Sequence, residues 1–243
     1  MCGRYVSNRD PAYLTDEFRV TQAPATVLLP DYNVAPTKEV YAVIEREAEG
    51  VAQRSLATAR WGLVPSWAKD PAIGNRMINA RLETAADKPS FRRAWARRRA
   101  ILPAAGYYEW HTPDARPTTG SGRPRKQPYF IHNADDATLA LAGLYEIWRD
   151  HSRSEDDPAA WLWTAAILTT AAVGPVEFIH DRMPVVVPAA HWDAWLDPHF
   201  PGDPHSLLDP AAAAARLAAY PVSTAVNSVR NNGPELIAPL PAA

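Results

Sequence analysis

The chain predicts one α+β domain over residues 1–243, a mainly antiparallel β-sheet curled into an open barrel with short helices at its periphery. Three observations carry that prediction. Runs rich in β-branched and aromatic residues dominate, the helical stretches between them are short, and the strand–helix alternation of a parallel sheet is missing. A curled antiparallel sheet also leaves few open edges. With 243 residues, 47% of them hydrophobic, the chain can bury a substantial core.

The elements follow in order. A first strand starts beside Met1-Cys2-Gly3-Arg4-Tyr5. Asp10-Pro11 opens a short amphipathic helix through Phe18, with proline in the first turn where its missing N–H is harmless. Tyr32-Asn33-Val34-Ala35-Pro36-Thr37 is a loop leading into the β-branched strand Val40–Ile44, and the acidic residues after Glu45 read as an exposed turn. Ala57–Val64 is the next strand, closed by Pro65. Ser90–Arg98 reads as a helix with Phe91 and Trp95 as its apolar stripe. Ala100 to Trp110 gives a buried strand, a small-residue turn and a second strand. Residues 111–128 and 150–159 read as mobile loops, the first an insertion in a hairpin rich in Pro, Gly and Thr. Between them, Tyr129–His132 and Thr138–Tyr145 resume the sheet. Trp161–Thr170 is a strand ending in paired threonines. Gly174 to Pro184 is a short helix running into a turn before the strand Val185–Val187. A tryptophan-rich helix ends at Asp193–Leu196, Asp209-Pro210 caps an alanine-rich helix through Ala219, and Tyr220–Val229 supplies a last strand.

Composition narrows the function. A single cysteine excludes an internal disulfide framework and fits a reducing compartment. No apolar run has membrane-spanning length, and no secretory signal pattern opens the chain, so a soluble cytoplasmic protein is expected. The net charge of -2 argues against broad electrostatic adhesion to nucleic acid while leaving room for a local basic groove. No phosphate-cradling glycine loop is present, and His and Cys are too dispersed for a zinc site, so neither cofactor nor metal is expected.

The position of the one cysteine is its unusual property. Removal of Met1 leaves Cys2 with a free α-amine and a thiol on adjacent carbons, a pair that can close a five-membered ring on an aldehyde. An α-amine titrates at about 7.7–8.0 and a free thiol near 8.5, and a positive neighbour such as Arg4 raises the thiolate fraction. The alternative is a small apolar residue tucked into the core.

Other stretches could serve such a site. Trp61 and Trp67 lie on either side of a proline turn; Trp61 on its strand fits the core, while Trp67 fits core packing and base stacking equally. Asn79, Arg81 and Glu83 stand at i, i+2, i+4 and share one face if extended, either a polar site or a solvated strand face. Arg92, Arg93, Arg97, Arg98 and Arg99 form the densest positive patch, a solvated helix face or a phosphate-binding one. Glu109 sits among aromatics, where a carboxyl's pKa rises as a general acid requires, unless it reaches a salt bridge in solvent. His180, beside Asp181 and Arg182, is a proton carrier or a structural histidine.

Six motifs occur together in order: Cys2-Gly3-Arg4-Tyr5, Tyr32-Asn33-Val34-Ala35-Pro36, Trp61-Gly62-Leu63-Val64-Pro65-Ser66-Trp67, Asn79-Ala80-Arg81-Leu82-Glu83-Thr84, Gly106-Tyr107-Tyr108-Glu109-Trp110 and Ile179-His180-Asp181-Arg182-Met183-Pro184. The series, running to about Pro239, closely resembles the SOS response-associated peptidase (SRAP) family of abasic-site processing proteins. That resemblance implies a covalent crosslink to abasic sites in single-stranded DNA, made through a thiazolidine on Cys2 and shielding the lesion in the SOS response. It implies catalytic roles for Cys2, Asn79, Glu109 and His180, and DNA contacts by Arg4, Pro36, Trp67, Arg81, Thr169 and Arg182. It further implies a monomer, nucleoid-associated when bound to damaged DNA, whose Met1 is removed by self-processing or by an aminopeptidase. A cysteine peptidase with an N-terminal nucleophile, acting on other proteins, is the alternative. Two positions depart from the family: Ala68 stands where some members carry a basic or aromatic residue, and Pro89 near an arginine that some use on DNA.

Overall fold

The computed structural model describes residues 2–48, 50–112 and 126–241. In chain order these form β1 (Tyr5–Ser7), α1 (Pro11–Glu17), β2 (Asp31–Val34), β3 (Glu39–Ala48), β4 (Val51–Trp61), β5 (Asn79–Arg81), α2 (Arg92–Arg97), β6 (Arg99–Ala104), β7 (Gly106–His111) and β8 (Gln127–Asn133). There follow β9 (Leu139–Arg149), β10 (Trp161–Ala171), β11 (Arg182–Pro184), α3 (Trp192–Leu196), α4 (Pro210–Ala214) and β12 (Leu217–Pro221), with short 3-10 turns between. Asp10 and Asp209 cap their helices through side-chain bonds to Ala12 and Ala212, each with proline in the first turn.

The sheet curls as its sequence predicts and goes on to close. β4, β3, β6 and β9 are joined antiparallel, β9 pairs antiparallel with β10, and β10 returns to β4 in parallel, Ala165 opposite Trp61. β5 and β11 extend the far end of β10. A second, antiparallel sheet runs β12-β8-β7-β1-β2.

Alternation sorts the side chains. On β3, Val40, Ala42 and Ile44 face the barrel interior with Trp61, Leu102 and Ile167, and that core continues into the second sheet through Cys2, Tyr5 and Tyr107. Tyr41 and Val43 face outward, under Leu14 of α1 and Phe18 just after it, Trp95 of α2 and Trp195 of α3.

Several elements differ from the expectation, each because pairing outweighs local preference. β3 runs on to Ala48 through its acidic residues, since Glu45 faces Arg54 across the hairpin and binds it at 2.9 Å. The alanine-rich helix stops at Ala214 because Leu217–Pro221 joins the ladder with β8. The strand expected over Tyr220–Val229 is therefore β12 followed by a 3-10 turn at Thr224–Asn227. The strand expected at Val185–Val187 moves to Arg182–Pro184, with one bridge at Val186. Of the loop expected over 111–128, residues 113–125 lie outside the described residues. In the 150–159 loop, Asp150 accepts from Ser152 and Arg153 binds Asp157, whose side chain caps the turn Pro158–Ala160.

Candidate active site and nucleic-acid interface

β1 lies antiparallel to β7 with Tyr5 opposite Tyr107, and the Tyr108 N–H donates to the Arg4 carbonyl at 2.9 Å. The residues ahead of β1 therefore run on beside the part of β7 that carries Glu109. Cys2 is fully buried there, in one cluster with Tyr5, Tyr107 and Trp61. Asn79, opening β5, reaches across and donates Nδ2 to the Cys2 carbonyl at 2.8 Å. Burial first, then the charge of Glu109, pushes the Cys2 thiol far above its ordinary range, so the sulfur is protonated at neutral pH.

Glu109 is 3% exposed. Burial raises its carboxyl pKa, with His180 close enough to act in the opposite direction and Asp181 in the same one. His180 arrives on the segment between β10 and β11, which is seated on the β7–β8 hairpin. There the Phe178 carbonyl lies 2.7 Å from His111 Nδ1, and the Phe178 ring meets those of His111 and Tyr129 at 5.6 and 5.4 Å. One ring nitrogen of His180 has two suitors: the Arg182 N–H donates to Nδ1 at 2.9 Å, and Asp181 Oδ1 stands 2.7 Å from the same atom. The backbone donor is fixed while Asp181 is 86% exposed. With the Arg182 N–H as its partner, Nδ1 is the acceptor, and that tautomer carries its proton on Nε2.

Arg182 is held rigidly. Its guanidinium makes a bidentate pair with Glu83 at 2.8 and 3.0 Å and donates to the Thr169 carbonyl at 2.6 Å. The hydrogen bonds from Arg182 hold the Glu83 carboxyl below its usual range, and Thr170 Oγ1 adds another at 3.2 Å. Thr169 is buried, and opposite it on β5 is Arg81, exposed to solvent. Asn79 and Arg81 thus flank the buried Ala80 on one strand face, while Glu83 falls one residue into a 3-10 turn at Leu82–Thr84.

The remaining expected contacts stand apart from this group. Arg4 donates to Asn33 Oδ1 at 2.7 Å and the Val226 carbonyl at 2.9 Å, with its guanidinium 5.8 Å from the Trp110 ring centre. Pro36 is half-buried beside Thr37, whose φ of 75° is strained for a β-branched residue and whose N–H donates to the Trp61 carbonyl at 2.9 Å. Trp61 is buried and its indole donates to Ile78, whereas Trp67 is 58% exposed. Ala68 turns inward, its carbonyl accepting from the Trp148 indole at 2.7 Å. Gly62 makes this bend possible: its φ is 132°, and a Cβ there would stand 2.5 Å from the Gly74 carbonyl. In the basic stretch, Arg92, Arg93 and Arg97 are exposed, as is Pro89. Arg98 pairs with the buried Glu146, and Arg99 is buried, donating to the carbonyls of Trp95, Ala96 and Trp195 at 2.8–3.0 Å.

The fold therefore gathers Cys2, Asn79, Glu109 and His180, with Arg182 immediately beyond. Three further residues support them, of which the sequence singled out only Glu83, as part of a possible polar face with Asn79 and Arg81. Asn33 holds Arg4, Glu83 holds Arg182, and Phe178 seats the His180 segment. Asn33 and Glu83 lie inside the motifs quoted above, and that is the signal available for them. Phe178 carries none. Among the described residues no group of three or more His, Cys, Asp and Glu could hold a metal ion, and no helix is long and apolar enough to cross a membrane.

A family model described as SOS response associated peptidase (SRAP) matches residues 1–229. The chain belongs to that family. It is 40% identical over 240 residues to the abasic site processing protein YoqW of Bacillus subtilis, covering 98% of this chain and 99% of that one. It is 30% identical over 246 residues to the abasic site processing protein YedK of Escherichia coli, covering 99% and 100%. A solved structure of a Bacteroides thetaiotaomicron protein shares the fold, with a TM-score of 0.80 at 22% identity over 98% of this chain and all of that one.

Proposed function

We propose that this SRAP protein crosslinks covalently to abasic sites in single-stranded DNA through Cys2, after Met1 has been removed, and so shields the lesion. One observation carries the reading beyond family membership: the Cys2 carbonyl is tethered by Asn79, Glu109 lies close enough to act on the Cys2 thiol, and His180 lies close enough to act on Glu109. The names of YoqW and YedK support the same substrate class.

The chemistry divides by atom. The ring-opened abasic sugar presents an aldehyde. The uncharged α-amine of Cys2 adds to its carbon, and the resulting carbinolamine loses water to give an iminium. The Cys2 sulfur then attacks the iminium carbon, its proton passing to a base, and a thiazolidine forms with one water released overall. In this order the amine acts first and the thiol yields its proton only at closure. Glu109, its proton affinity raised by burial, exchanges protons with the amine and the leaving water. His180, with Nε2–H, donates to the sugar oxygen during ring opening, and the Arg182 N–H fixes its tautomer.

Around this centre, Arg81 and Arg182 take phosphates, Trp67 stacks on a base, and Thr169 and Pro36 shape the path of the strand. Arg4 contributes positive potential from the site's edge. Phosphate contacts position the strand without reading its sequence. Self-processing of Met1 belongs to the same proposal and uses the same nucleophile.

Incubation with a single-stranded abasic oligonucleotide tests the reading on a denaturing gel. Wild type should give a shifted band and Cys2→Ala none. An equal band in both, or a band in neither, refutes it.

A further inference from the structure

Remote from Cys2, a second groove concentrates positive charge on a chain whose net charge is -2. It encloses about 500 Å³ where Arg46, Arg93, Arg98 and Arg149 surround Trp161 and Trp163. Carboxylates answer only part of that charge. Arg98 pairs with Glu146, which is 3% exposed, and Arg149 lies 3.4 Å from Glu155. Glu47, next to Arg46 in sequence, turns away to His199 at 3.0 Å. Among the described residues neither Arg46 nor Arg93 has a carboxylate partner; both are exposed, and after burial they are the like charges that press on Arg98.

The arginines are also arranged for a particular ligand. The Arg46 guanidinium lies 5.4 Å from the Trp163 ring centre and that of Arg149 5.6 Å from Trp161. Stacking holds a guanidinium plane in place while its N–H edge stays available to phosphate oxygens. The Trp161 ring, 39% exposed, offers a base-stacking face. Arg93 donates to Ser66 Oγ at 3.2 Å, and Ser66 also lines the neighbouring depression that contains Trp67 and Lys69. The groove is therefore continuous with the exposed tryptophan assigned above to base stacking.

We propose that this groove holds the sugar–phosphate backbone of the strand flanking the reacting nucleotide, with Arg46 and Arg93 as its phosphate contacts. The proposal rests on the single-stranded DNA reading and adds a subsite to it. Its reach follows from β10, which passes from Trp163 at the groove to Thr169 beside Arg182. At about 3.3 Å per strand residue that is about 20 Å. A stacked strand rising about 3.4 Å per nucleotide covers this distance in about six nucleotides.

The test uses the full chain and labelled undamaged single strands, so that no covalent step intervenes. Strands with about three or about ten nucleotides on either side of a central position are titrated by fluorescence anisotropy. Wild type should bind the longer strands more tightly. Arg46→Glu combined with Arg93→Glu should weaken binding of the long strand at least tenfold and leave the short strand unchanged. The salt dependence of long-strand binding should fall in slope by about 1.4, at about 0.7 per single-strand phosphate contact. Arg46→Lys with Arg93→Lys should keep most of the affinity, and equal melting midpoints verify that the variants fold. Equal losses on long and short strands, or no loss on either, would overturn the groove. Crosslinking of a short abasic strand, run in parallel, separates the two ideas. A wild type without adduct but with Arg-dependent, length-dependent binding removes the proposed function and leaves the groove standing.

Discussion

Replacing Glu109 with glutamine keeps its shape and removes its proton exchange, with opposite effects on stability and on reaction. The side chain is 3% exposed, and burial raises its carboxyl pKa from 4.5. A carboxyl whose folded pKa lies above its unfolded one binds its proton more tightly in the fold. The stability it contributes is complete below the unfolded value of 4.5 and is lost as pH rises through the window up to the folded pKa. Glutamine never ionises and escapes that loss. Glu109→Gln should therefore melt above wild type at about pH 7.5, the difference closing as pH falls toward 4.5. Crosslinking should move the other way. Loss of a general acid–base group costs about 10²–10⁴-fold in rate. At 1.36 kcal/mol per factor of ten, that is about 2.7–5.4 kcal/mol of barrier. Single-turnover quenching on denaturing gels gives the rates, and melting curves across the same pH range give the stabilities. A variant that crosslinks at the wild-type rate, or that melts lower than wild type by a constant amount at every pH, would make Glu109 a structural anion and refute the reasoning.

Other predictions follow from the same geometry. Asn79→Ala removes the 2.8 Å bond to the Cys2 carbonyl, at about 1 kcal/mol of stability, and should slow crosslinking at least tenfold by releasing the chain end. An unchanged single-turnover rate would remove Asn79 from the site. Trp67→Ala should leave the melting midpoint alone, since the ring is 58% exposed, and weaken single-strand binding by about 1–3 kcal/mol in titrations. A lowered midpoint with unaltered affinity would assign the ring to packing. Arg182→Ala should reduce the salt slope of DNA binding by about 0.7, equally across sequences. An unaltered slope would confine Arg182 to its pairing with Glu83 at 2.8 and 3.0 Å.

Elements were legible in the sequence wherever one local rule was enough. The Asp-Pro helix starts and the β-branched strands stand where their chemistry places them. Closure of the barrel was not legible, because it depends on β10 lying parallel to β4 and β5, a choice that no local pattern records. Cys2 is more instructive, since the structure bears on both of its readings. It is a small buried residue of the core and also the neighbour of an amide and a carboxyl. The basic patch divides for a reason beyond helix periodicity: Arg99 opens β6 and turns inward to carbonyls of two helices, leaving Arg92, Arg93 and Arg97 in solvent. The partners that hold Arg4 were not legible, because Asn33 and Val226 lie 29 and 222 residues away in sequence.

Intact mass of the product with a single-stranded abasic oligonucleotide tests the central claim most directly. The account predicts the mass of the chain without Met1, plus the oligonucleotide, less one water, and loss of that species in Cys2→Ala. An adduct that retains Met1, or one that persists without Cys2, would contradict it.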